Sequence, residues 1–176
     1  MPEETKKARI IEFVRIPLRA AMAVIATCGL TIGASGANAQ DAYPKVWLNP
    51  GFLTYHFDRD IDLREDNWGF GAEMELKANH ALMAGTFINS EDERSRYFGY
   101  EWRPLHWDVA GADVSLGVVA AGLDGYPRNK DGGWFAVVLP VLAVQGDRLG
   151  FNVTVIPTIE DHVYGAVALQ FKLRVW

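Results

Sequence analysis

Cysteine is almost missing from this chain: the single one, Cys28, sits within the first 39 of 176 residues. If those residues are removed, the remainder has no thiol and needs neither disulfides nor metal-thiolate chemistry. Long apolar runs are missing too. The longest, Ala20 to Ile32, is shorter than the roughly 20 residues of a spanning helix. Basic residues are scarce, with 17 Lys+Arg against 22 Asp+Glu. Five of the bases and three of the acids lie in the first 39 residues, so the other 137 carry 12 bases, 19 acids and a net charge of −7. That balance disfavours nucleic-acid binding, which is led by basic patches that neutralise phosphates.

What is present at the start is an address. Lys6, Lys7, Arg9, Arg15 and Arg19 precede the apolar run, and Ala37-Asn38-Ala39 follows it, the layout of a secretory signal peptide. We expect cleavage after Ala39, leaving one barrel domain over 40–176. Ile25-Ala26-Thr27-Cys28 resembles a lipoprotein box, but Thr is a poor residue before the cysteine.

The rest of the chain alternates. Trp68, Phe70, Ala72, Met74 and Leu76 interleave with Asn67, Gly69, Gly71, Glu73 and Glu75, and Val167, Leu169, Phe171, Leu173 and Val175 with Ala166, Ala168, Gln170, Lys172 and Arg174. Period two is the strand signal. It predicts eight strands, near 47–57, 67–77, 80–89, 96–106, 113–123, 134–144, 150–157 and 164–175. Tight connections are expected at Ala78-Asn79, Trp107 to Ala112 and Gln145 to Leu149. Polar, mostly longer ones fall at Asp58–Asp66, Ser90–Ser95, Asp124–Gly133 and Thr158–Val163. Short turns at one end and longer loops at the other suit an all-β, eight-stranded antiparallel up-and-down transmembrane barrel. A soluble lipocalin-like barrel is the alternative, but it would have to bury Glu73, Glu75, Lys172 and Arg174. One detail fits imperfectly: the terminal Trp176 is in phase with Arg174 and Lys172, not with the apolar face.

Two short motifs carry the candidate chemistry, Tyr55-His56-Phe57-Asp58-Arg59 and Phe87-Ile88-Asn89-Ser90. With a periplasmic N-terminus the first and third strands both run outward, so His56 and Ser90 reach the same rim. Serine is a weak nucleophile or relay unless a base is within reach, and histidine is the usual base. Asp58, Asp60, Asp62, Glu91, Asp92 and Glu93 are candidates to orient the imidazole. Equally, His56 reads as a solvated rim residue and Asn89-Ser90 as a turn initiator. The acidic clusters then read as solvated loops, or as cation sites that bridge anionic lipopolysaccharide while Arg59, Arg64, Arg94, Arg96 and Arg128 meet its phosphates. His80, His106 and His162 lack a metal-ligand spacing and read as turn or interface residues.

The order of segments resembles the PagP family of outer-membrane lipid A palmitoyltransferases over nearly the whole of 40–176. The matching stretches are Tyr55-His56, Asn67-Trp68-Gly69-Phe70-Gly71, Leu82 to Ser90, Gly99-Tyr100-Glu101-Trp102-Arg103-Pro104-Leu105, Leu139-Pro140-Val141-Leu142 and Thr154-Val155-Ile156-Pro157. The resemblance implies an integral outer-membrane barrel that passes a palmitate-like chain from a glycerophospholipid donor to lipid A of lipopolysaccharide, with no cofactor and no metal, as a monomer. It maps the family's essential histidine to His56 and its essential serine to Ser90. The family's aspartate before that serine is Asn89 here, which can orient a neighbour but carries no charge. A glycine that sets acyl length maps to Glu101, whose parity with Gly99 and Arg103 points it inward, so a charged floor would shorten or reshape the acyl pocket. Pro140 and Pro157 match prolines that open lateral lipid access, and Pro50 is a third proline set within a strand. The family's short N-terminal helix has little room between Gln40 and Val46, Val155 stands where the family has tyrosine, and the loop 124–133 is longer. Two other readings stay open: a non-enzymatic barrel that binds or stabilises lipopolysaccharide, and a lipid A deacylase or phospholipase.

Overall fold

The computed structural model describes residues 43–159 and 163–176; the expected leader, residues 1–39, and His162 lie outside the described residues. The alternating segments form β1 (Lys45–His56), β2 (Asp66–Lys77), β3 (His80–Ile88), β4 (Arg94–Val109), β5 (Ala112–Leu123), β6 (Phe135–Gln145), β7 (Leu149–Ile156) and β8 (Ala166–Arg174). Each strand pairs antiparallel with the next, and β1 pairs with β8 to close the barrel. All eight strands fall where period two puts them. The ends differ most at β4, which runs on to Val109 and narrows its turn to Ala110-Gly111, both at positive φ (53° and 84°). Two positive-φ residues give a hairpin turn whose twist matches the strands it joins. β8 stops at Arg174, so Trp176 lies past the strand, 78% exposed and free of its alternation.

Outside and inside are inverted relative to a water-soluble barrel. Trp68, Phe70 and Phe98 are about 60% exposed, while Glu73, Glu75, Glu101, Arg103 and Lys172 are almost fully buried. Burying five ionisable side chains while presenting aromatics outward is a net cost in water. It suits a barrel with lipid outside, and closure leaves no unpaired edge for hydrocarbon to meet.

The lumen has two layers. Near the tight turns, Lys172 Nζ lies 2.7 and 2.9 Å from the Glu73 oxygens, and Asn152 Nδ2 donates to Glu73 at 2.9 Å. Arg103 Nη2 donates to Glu75 at 3.0 Å and lies 3.5 Å from Glu73, with Glu101 at 3.6 Å from its Nε. Nearer the long loops the filling is aromatic. Phe52, Phe87 and Tyr97 meet with ring centroids 5.0 to 6.0 Å apart. Tyr97 lies across Gly71 and Gly85, where added Cβ atoms would stand 2.1 Å from its hydroxyl and 2.7 Å from its ring respectively.

One seam is incomplete. β6 and β7 pair only from Val141↔Thr154 to Gln145↔Gly150; beyond Val141, β6 pairs with β5 alone, and beyond Thr154, β7 pairs with β8 alone. Pro140, with no N–H to give, stands at the end of the ladder, and Pro157 follows β7 instead of lying within it. Thr154 Oγ1 donates to Pro140 O at 2.6 Å across the gap.

Candidate active site

His56 is the last residue of β1 and Ser90 lies two residues past the end of β3. β2 separates these strands, so their axes stand about 10 Å apart at the usual strand spacing. The two side chains nevertheless meet over β2: His56 Nε2 is 3.1 Å from Ser90 Oγ. His56 is 4% exposed.

Several ties hold that approach. Thr54 Oγ1 donates to Asn67 Oδ1 at 2.8 Å, and Asn67 Nδ2 donates to Ile88 O at 3.0 Å, so one buried amide links β1, β2 and β3 beneath the pair. Above it, the Arg64 N–H donates to Ser90 O at 3.1 Å and Arg64 Nη1 to Asp92 Oδ1 at 2.7 Å. The loop 57–65 is thereby fastened to the loop 89–93. Ser95 and Gly125 serve the site without having been singled out in the sequence, while Arg64, expected to meet lipid phosphates, and Asn67, read only as a strand position, act here as ties between loops and strands. Short motifs reveal chemistry-bearing residues, whereas these act through partners far away in sequence.

Asn89 sits beside Ser90, but its side chain faces neither Ser90 nor His56. It is fully buried and uses its whole hydrogen-bonding capacity on the loop. Oδ1 accepts from the N–H groups of Glu91 (2.9 Å) and Glu93 (3.1 Å), while Nδ2 donates to Ser95 Oγ (2.9 Å) and to Gly125 O (2.7 Å). An aspartate has no donor for the Gly125 carbonyl.

None of the six expected carboxylates is hydrogen-bonded to the imidazole, and His56 Nδ1 has no partner among the described residues. Asp58 accepts from the Asp60 N–H, Asp92 pairs with Arg64, and Glu91 faces Arg128 at 4.0 Å. The acid tied to His56 is one outside that set, Glu65, which accepts from the His56 backbone N–H. Its carboxyl is held below the usual range by a hydrogen bond from Arg59 and, secondarily, by the backbone N–H of His56. Thus Arg59, Arg64, Arg96 and Arg128 each face a carboxylate of the chain itself. A hollow of about 480 Å³ lies under the loop 57–65, with His56 and Glu65 in its wall and Asp58, Asp60 and Asp62 around it.

The remaining sequence-level candidates are placed as follows. Glu101 points inward and pairs with Arg103 as their parity requires. Gly99 faces Ala121, whose Cβ would stand 2.8 Å from an added Cβ. His80 opens β3 against Tyr100, and His106 faces Asp113 at 3.0 Å on β5.

No protein-family model matches the chain. It is similar to a lipid A acyltransferase PagP of Laribacter hongkongensis (strain HLHK9), with 31% identity over 121 residues, covering 64% of this chain and 54% of that protein. The chain therefore spans about half the length of the curated relative it matches. Taken with the closed eight-stranded antiparallel barrel, this similarity supports the chain as a divergent member of the PagP family.

Proposed function

We propose that this protein is an acyltransferase that moves a palmitate-like chain from a glycerophospholipid to lipid A of lipopolysaccharide, acting as a monomeric barrel of residues 40–176 in the outer membrane of a Gram-negative cell after loss of its leader at Ala39. The observation that carries the reading is the 3.1 Å contact between His56 Nε2 and Ser90 Oγ at the long-loop rim. No cofactor or metal is required.

His56 is the general base and Ser90 the nucleophile or proton relay. As a hydroxyl oxygen bonds to the ester carbon of the donor, His56 takes the hydroxyl proton. The tetrahedral intermediate then expels the glycerol oxygen, which recovers that proton from the imidazolium and leaves as a lysophospholipid. If Ser90 supplies the attacking oxygen, a second, identical cycle passes the acyl group to lipid A. If it relays, the lipid A hydroxyl attacks directly and its proton reaches His56 through Ser90. Asn89 serves by holding the loop that presents Ser90.

The donor chain enters between β6 and β7, where Pro140 and Pro157 flank the unpaired stretch, and lies in the aromatic upper lumen. Glu101, paired with Arg103, and Gly99 beside it form the floor. A methylene chain gains from burial against rings and loses where it displaces the partners of buried charges, so the chain selected is expected to be shorter than one that fills the whole barrel.

His56→Ala and Ser90→Ala are expected to cut transfer by about 10²- to 10⁴-fold, the usual loss on removing a general acid–base group, while the barrel still folds. Mass spectrometry of lipid A from cells with and without the protein is the readout. A gained acyl chain that disappears in both variants supports transfer. A lost chain makes the protein a deacylase, and no change makes it a lipopolysaccharide-binding barrel.

A further inference from the structure

The inward phase of β1 changes once along its length. Trp47 and Asn49 face the lumen: the Lys172 ammonium lies 5.1 Å from the Trp47 ring, and Asn49 Nδ2 is 3.4 Å from Tyr97 Oη. Further up, Phe52 stacks on Phe87 and Tyr97, Thr54 bonds to Asn67, and His56 meets Ser90, whereas Leu53 and Tyr55 are 44% and 58% exposed. Odd positions point inward below the change and even ones above it. A regular strand keeps one phase, and a one-residue slip moves every later side chain to the other face.

The change coincides with breaks in both ladders. Against β8, pairing stops at Leu48↔Leu173 and resumes at Leu53↔Leu169, which sets five steps of β1 against four of β8. Against β2 the shift is the opposite one, two steps of β1 against three of β2 between Asn49↔Gly71 and Gly51↔Trp68. Pro50 lacks an N–H, and the Gly51 N–H turns back to Asn49 Oδ1 at 3.3 Å. Gly51 has φ +107°, and a Cβ there would stand 2.2 Å from Asn67 O and 2.7 Å from Gly69 N. Backbone atoms cannot move aside as a flexible side chain can, so glycine is required twice, by φ and by space.

We propose that the Asn49-Pro50-Gly51 irregularity is the element that turns His56 toward Ser90, with Gly51 as a positioning residue for the acyl transfer. The proposal rests on the reading of His56 and Ser90 as the active pair. With unbroken alternation from Trp47 and Asn49, Tyr55 would enter the lumen and His56 would face lipid, about 180° from Ser90. Gly51→Val keeps the strand's length but bars the irregular conformation, so His56 turns outward. Deleting Gly51 instead removes the residue that is extra against β8, lengthens the skip already present against β2, and leaves regular alternation with Phe52, Thr54 and His56 still inward.

The test reads orientation directly. In the full chain with Cys28→Ser, a single cysteine at Tyr55→Cys or His56→Cys is labelled with a fluorophore and the protein is inserted into vesicles of brominated phospholipid, which quenches lipid-facing labels. With natural Gly51 the label at 55 is quenched and that at 56 is not. Gly51→Val is expected to exchange the two, and the Gly51 deletion to leave 56 protected. Transfer measured with His56 in place falls by at least about 100-fold in Gly51→Val, the loss on removing a general base, and by less in the deletion. A folded Gly51→Val barrel, recognised by its gel mobility before and after heating, whose label at 56 stays protected overturns the proposal. So does a quenched label at 56 in the deletion, which decides the matter if the valine variant does not fold. A purely structural glycine would leave both labels on their own sides in any variant that folds. The quenching does not depend on catalysis, so the active-pair reading fails separately, if His56→Ala still acylates lipid A.

Discussion

Asn89→Asp makes the residue before Ser90 match the acid implied by the family resemblance, and on that resemblance alone it should raise activity. The structure reverses the expectation. The Asn89 amide donates to Ser95 Oγ and Gly125 O and accepts from two backbone N–H groups. In the aspartate the two accepted bonds remain. The serine hydroxyl can rotate to donate, so that contact survives as well. The Gly125 carbonyl has no such remedy, because a carboxylate oxygen would face it at the 2.7 Å now spanned by a hydrogen bond. An unmade buried hydrogen bond costs about 1–3 kcal/mol, and confining a carboxylate with no cation in contact adds to it. We therefore expect a loss of about 2–4 kcal/mol in stability, with the loop 89–93 released from the β5–β6 loop and transfer falling with it. The loss should shrink on acidification, since a protonated carboxyl regains a donor for Gly125 O. Its sign follows from burial, which raises the carboxyl's value in the folded state above the unfolded one: the penalty is full above the folded value and gone below the unfolded one. Thermal unfolding of the micelle-bound barrel against pH, with lipid A acylation measured in parallel, is the assay. An Asn89→Asp barrel as stable as the parent at neutral pH and faster in transfer would refute the reasoning and restore the carboxylate as a catalytic group.

Other consequences are testable on the same barrel. Glu73 takes Lys172, Asn152 and Arg103 together in the floor, so Glu73→Ala should destabilise by about 3–5 kcal/mol, as removal of one partner from a buried ion pair does. Glu101, with a single cation at 3.6 Å, should tolerate Glu101→Gln with a smaller loss in the same melting experiment. Burial alone would raise the Asp124 carboxyl, but hydrogen bonds from the Arg96 backbone and guanidinium outweigh it and hold it below the usual range. This clamp on the loop 124–134 is complete above the ordinary carboxylate value and is lost as pH falls through the lowered one. Pepsin should accordingly cut the loop only at strongly acid pH, and at higher pH once Arg96→Ala has been made. Thr154→Val removes the hydroxyl bond to Pro140 O and should widen the β6–β7 seam, seen as faster amide exchange at the open end of that ladder, in residues 141–143 and 152–154, with the other strands unchanged.

The sequence by itself determined the architecture. Trp68, Phe70 and Phe171 against Glu73, Glu75 and Lys172 decided which face turns outward and which lines the lumen, since side-chain alternation is a property of each strand alone and burial of charge decides the rest. Polar, mostly longer stretches alternating with tight turns placed His56 and Ser90 on one rim. The tertiary structure decided everything that depends on register and closure. It turns His56 inward through a phase change at Gly51, where uniform alternation from Trp47 would have turned it out. It assigns the Asn89 amide to Gly125, 36 residues away, leaves the expected acids on other partners, and opens the seam beyond Val141↔Thr154. These are contacts between strands distant in sequence, set by how eight ladders slide to close one ring, and no local pattern carries that information.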